Sequence, residues 1–154
     1  MTTEIGNIRV ERVIKASPEQ VWSVLADGWA YANWVVGASA IRDVEAEWPA
    51  VGAQIHHSVG AWPVLLSDST SVTACEPHRS LTMQARGWPL GEATIAVTLE
   101  QLGVDETKVV MTEDATRGPG RLVPFPLRQA AIVPRNRESL RRLSLIAENR
   151  APRG

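Results

Sequence analysis

The chain has 154 residues, 44% hydrophobic and 21% charged, a mix that suits one globular domain over residues 1–154 with a sizeable core. Cys75 is the only cysteine, which excludes an internal disulfide and any zinc site built on several thiolates. The net charge of −1 hides an asymmetry: from Arg117 onward nine arginines meet only Glu138 and Glu148, while the first 116 residues are acidic. A basic tail can mark nucleic-acid or membrane contact, but no lysine cluster or stacking aromatic is interleaved here. A solvated helix face is the simpler reading, and no nucleic-acid partner is expected.

Met1–Asn7 lacks the basic and apolar regions of a signal peptide, and no apolar run approaches the ~20 residues of a membrane span. A cytoplasmic protein is the expectation. Ile8–Lys15 is rich in Val and Ile with interleaved charges and predicts a strand. Ser17-Pro18-Glu19-Gln20 is a helix start, with Ser17 as cap, Pro18 in the first turn and Gln20 completing a capping box. Val21, Trp22, Val24 and Leu25 give this short helix an apolar face, and a second short helical piece over Ala30–Val36 closes at Gly37.

Six strand-like runs follow, each ended by a turn signal: Ala40–Trp48, Ala53–Val59, Val64–Glu76, Ser80–Arg86, Ala93–Leu102 and Thr107–Thr116. Ile95, Val97 and Leu99 alternate with Thr94, Thr98 and Glu100, and Leu81, Met83 and Ala85 alternate with Thr82, Gln84 and Arg86. Such period-two alternation predicts an antiparallel meander with one dry face. Arg117–Arg135, with four prolines, reads as a loop with a helical stretch over Leu127–Val133. Asn136–Asn149 then carries Leu140, Leu143, Ile146 and Ala147 at helical spacing, with Leu145 off the stripe.

Polar residues in phase with the dry faces are the site candidates. His57 shares a face with Ile55 and Val59, Glu113 with Val109 and Met111, and Asp68 and Thr70 with Val64, Leu66 and Val72. An inward carboxylate requires a partner, a shifted pKa or water in a cavity. His56 and His57 are not a metal pair, because alternation sends them to opposite faces. No Ser-His-Asp spacing, phosphate loop or nucleotide fingerprint is present, so neither a metal nor a cofactor is expected.

The order strand, two short helices, six-stranded meander and long C-terminal helix resembles the START-like helix-grip superfamily (SRPBCC), with its polyketide cyclase/dehydrase-like and lipid-transport members. Val10 to Trp22 is similar to that group's opening, an apolar strand followed by Ala16-Ser17-Pro18-Glu19-Gln20-Val21-Trp22. Gly118-Pro119-Gly120 and Pro134 to Leu143 are similar to the C-terminal end of many bacterial members. The resemblance implies an α+β fold in which a seven-stranded curved antiparallel sheet wraps the C-terminal helix and leaves a cavity for an apolar small molecule. It implies a cavity mouth near Gly37–Ser39, Arg117 and the turns at Trp62 and Trp88, with Trp48-Pro49 at the other end. Ligand contacts are then expected at His57, Trp62, Asp68, Met83, Trp88, Met111 and Glu113, with Pro119–Pro134 either an apolar lid or a docking segment.

Three functions fit this reading. The first is binding or carriage of a lipid, polyketide or aromatic compound. The second is a cyclase or dehydratase using His57, Glu113 or Asp68 as acid or base. The third is a partner-binding module acting through the arginine-rich end. Assembly into a homodimer is left open.

Overall fold

The computed structural model describes residues 8–61, 64–87 and 91–150. β1 (Ile8–Ile14) leads into α1 (Pro18–Leu25), a 3-10 turn (Gly28–Ala30) and α2 (Tyr31–Trp34). The strands β2 (Ala38–Val44), β3 (Gln54–Ala61), β4 (Val64–Glu76), β5 (Ser80–Gly87), β6 (Gly91–Gly103) and β7 (Glu106–Arg117) follow. A 3-10 turn (Pro119–Leu122) then leads into α3 (Phe125–Asn149). The strands form one antiparallel sheet in the order β1-β7-β6-β5-β4-β3-β2, so the chain's first and second strands are its edges. Bulges in β2, β4, β6 and the β6–β7 pairing add bend and twist to the sheet. The helix-grip architecture expected from element order is what the chain adopts.

α1 starts as its sequence dictates. The Ser17 hydroxyl accepts from the Gln20 backbone N–H at 3.2 Å, and the Gln20 side chain accepts from the Ser17 N–H at 3.1 Å. α3 lies against β1 and α1, and its buried stripe is Asn136, Leu140, Leu143 and Ala147. Leu145 stays exposed. The two helices are also tied at their ends, where the Arg150 guanidinium donates to Asp27 at 2.9 Å and to the Ser23 carbonyl at 2.9 Å.

Two segments depart from expectation. The Ala40–Trp48 strand ends at Val44, because the chain turns at Glu45, whose carbonyl accepts from the Trp48 N–H at 3.0 Å. Trp48 is buried, with its indole N–H donating to the Leu25 carbonyl at 3.2 Å. Helix α3 also begins eleven residues before Asn136 and runs through Pro134. A mid-helix proline removes one backbone hydrogen bond and costs about 3 kcal/mol. Anchoring just past the proline holds the helix in place, where Arg135 and Asn136 bond Glu113 of β7, while Leu127, Ala131 and Ile132 before it line the concavity of the sheet.

Candidate functional site

The concave face of the sheet and the first half of α3 enclose a cavity of about 570 Å³. Its floor is made by small side chains. Ala85 on β5 pairs with Ala93 on β6, and Ala93 pairs with Ala115 on β7, so three neighbouring strands present alanine at one level. One inward row further along, Met83, Ile95 and Glu113 are paired in the same way, and beyond them come Leu81, Val97 and Met111. Bulk therefore returns row by row, and the empty volume lies where bulk is missing. Val35–Ala38 closes one flank, and Val123, Leu127 and Ala131 form the opposite wall. Arg117 and Gly91 also line the cavity. A Cβ at Gly91, whose φ is +126°, would overlap the Arg117 carbonyl, so this close approach requires glycine.

Two polar clusters are built into this apolar wall. On β3, His57 is 2% exposed and its Nε2 lies 2.8 Å from the hydroxyl of Thr70, the buried β4 residue that also sits 3.0 Å from the Tyr31 hydroxyl. The Tyr31 and His57 rings stack at 5.5 Å, and Trp34 meets Tyr31 edge-on at 5.8 Å. The Tyr31 hydroxyl is pushed up to about 12, chiefly by burial and further by the charge of Glu113, so it stays protonated at neutral pH. The hydroxyl chain can run in either sense, so His57 Nδ1 presents either a donor or an acceptor. Nδ1 is buried with no hydrogen-bond partner. The nearby Ser58 backbone favours ring protonation without meeting the geometry of a bond.

The second cluster fixes Glu113, which is 5% exposed on β7. Arg135 Nη2 lies 2.6 and 2.5 Å from its two carboxylate oxygens, and Asn136 Nδ2 donates to one of them at 3.2 Å. With both oxygens occupied, Glu113 serves as a strut between β7 and α3 rather than a free base. Ser139 adds a tie by accepting the Val36 N–H at 3.1 Å.

Burial lowers the pKa of His57 from its ordinary value near 6.5, the Asp68 charge opposing this and Arg42 and His56 reinforcing it. The unfolded chain therefore takes up a proton near pH 6.5 that folded His57 resists, and stability from this group is full above that pH and falls below it. Urea unfolding at pH 7.5 and pH 5.0 is expected to show a larger loss for the natural chain than for His57→Gln. Equal losses would remove His57 as the cause.

His57, Met111 and Glu113 line the cavity, as their strand phases predict. Met83 is packed in the core, one residue along its strand face from the alanine level. Asp68 pairs across the sheet with His57 and lies 3.6 Å from Arg86, its side chain mostly buried. Trp62 and Trp88 fall outside the described residues. Sequence phasing missed Tyr31, Arg128 and Arg135, which come from helices. Asn136, Ser139 and Ser144 are polar residues in register with Leu140, Leu143 and Ala147, a signal in the sequence for polar groups on the buried face of α3. Among the described residues, no group of three His, Cys, Asp or Glu is placed to hold a metal ion, and no helix is long and apolar enough to cross a membrane.

A curved sheet gripping one helix around an apolar, polar-studded cavity defines a helix-grip container. Residues 6–148 match the family model described as polyketide cyclase / dehydrase and lipid transport, and the chain belongs to that family. It is similar in structure to the Zhui aromatase/cyclase from Streptomyces sp. R1128, with TM-score 0.73 and 16% identity over 94% of each chain. A START superfamily protein from Mycobacterium smegmatis gives TM-score 0.73 at 16% identity, covering 93% of this chain and 97% of that one. A protein from Nitrosomonas europaea gives TM-score 0.73 at 12% identity, covering 96% and 97%. At these identities the likeness is one of fold. A search of curated proteins finds no match.

Proposed function

We propose that this chain binds an apolar small molecule, a lipid, polyketide or aromatic compound, in the cavity between the sheet and α3. The alanine row at Ala85, Ala93 and Ala115 carries this reading, because it leaves room beside an otherwise filled core. A volume of about 570 Å³ lies within the range of small-molecule pockets. His57, Met111 and Glu113 would meet the ligand directly, and Asp68 would act through its neighbours His57 and Arg86. Met83 would support the floor from below.

The reading is tested with N-phenyl-1-naphthylamine, a neutral aromatic probe whose fluorescence rises in apolar surroundings. The natural chain is expected to bind it, and Ala93→Trp to weaken binding at least about tenfold by filling the floor, with its fold intact by circular dichroism. Unchanged binding in Ala93→Trp would place the probe elsewhere and overturn the assignment.

The second reading, a cyclase or dehydratase acting on the same ligand, draws support from the unpartnered His57 Nδ1. A neutral imidazole oriented through Nε2 by Thr70 and Tyr31 is suited to exchange a proton with a held substrate. Loss of turnover of a polyketide-like substrate in His57→Gln, with probe binding retained, would favour this reading over simple carriage.

A further inference from the structure

The described residues contain two buried side-chain polar atoms without a hydrogen-bond partner, His57 Nδ1 and Arg128 Nε, and both belong to residues that line the cavity. Buried polar atoms are nearly always satisfied, so two orphans around one cavity point to a ligand that supplies their partners. They stand on opposite walls, His57 on β3 of the sheet and Arg128 on the first turn of α3.

Charge separates the two roles. Four arginines line the cavity. Arg135 is taken by Glu113, and Arg86 is 3.6 Å from Asp68. Arg117, across the strand pair from Glu92, is exposed, so its charge is met by water. Arg128 is left with no acidic partner among the described residues; its guanidinium carbon lies 5.8 Å from the centre of the Phe125 ring, a contact that holds its plane without neutralising it. A guanidinium with a dry, unbonded Nε beside an apolar cavity is matched by a carboxylate, whose charge and oxygens supply what it lacks.

We propose that the ligand is an apolar carboxylic acid, its carboxylate held by Arg128 and its apolar body lying over the alanine row toward His57. His57 then meets a second polar group of the ligand, a hydroxyl or carbonyl, at the other end. This rests on the cavity reading above and deepens it from an apolar molecule to an apolar anion. Both a fatty acid and an aromatic acid carry that chemistry, and they differ only in the body that fills the floor.

Displacement of bound N-phenyl-1-naphthylamine tests it, using decanoate against decanol and 2-naphthoate against 2-naphthol. At least one acid is expected to displace the probe at about tenfold lower concentration than its matched alcohol, and which pair shows the difference identifies the skeleton. Arg128→Gln should abolish that preference, each acid being compared with its alcohol on the variant's own probe affinity. Arg121→Gln, which removes the same charge from an exposed residue outside the cavity wall, should keep it. If the probe binds the natural chain but acids compete no better than alcohols, or Arg128→Gln retains the preference, the carboxylate assignment falls and the cavity reading stands. If the probe does not bind the natural chain, both fall.

Discussion

Leu143→Ala is expected to cost about 3–4 kcal/mol and to lower the melting midpoint by on the order of 10 °C. Leu143 is fully buried at the centre of the α3 stripe, one turn from Leu140 and from Ala147, where α3 packs on β1 and α1. The packed residues around it cannot collapse into the space of a lost isobutyl group, so a cavity term adds to the lost transfer energy. The same truncation at Leu127, two-thirds exposed on the cavity wall of the same helix, should cost under about 1 kcal/mol. α3 thus has two halves with different duties: the second holds the fold together, and the first walls the cavity. Urea denaturation of the two variants measures this division. Equal destabilisation would mean the helix packs evenly along its length and would undercut the view of its first half as a cavity wall.

Features governed by local rules were legible in the sequence. The capping box at Ser17 and Gln20, the α3 stripe and the seven strands follow from patterns within a few residues of one another. The inward phase of His57 and Glu113 followed from period-two alternation alone. What the sequence hid depends on register between distant segments. The alanine row needs β5, β6 and β7 aligned so that residues 8 and 22 positions apart meet, and a one-residue slip would dissolve it. Tyr31 and Thr70 are separated by 39 positions, and Arg135 and Glu113 by 22. No periodicity links such pairs. The continuation of α3 through Pro134 was hidden for a related reason: local preference argues for a break, and the anchoring of Arg135 and Asn136 to Glu113 of β7 outweighs it.

The Glu113–Arg135 contact yields the second large effect. Arg135→Ala is expected to cost about 2–3 kcal/mol, because a buried carboxylate is left with only the Asn136 amide. Breaking a fully buried ion pair from one side costs about 3–5 kcal/mol, but the Arg135 side chain is 40% exposed and water reaches part of the vacated space, which reduces the loss. Glu113→Gln should cost less, about 1 kcal/mol, since an amide still hydrogen-bonds the guanidinium and no buried charge is stranded. The decisive comparison is the double variant. Once Glu113 is neutral, removing Arg135 strands nothing, so Glu113→Gln/Arg135→Ala should be more stable than Arg135→Ala alone. Urea unfolding of the three variants at neutral pH reads the order directly. If the double variant is the least stable, the two losses add, and the contact is not the charge-compensating strut that fixes α3 to β7 beside the cavity.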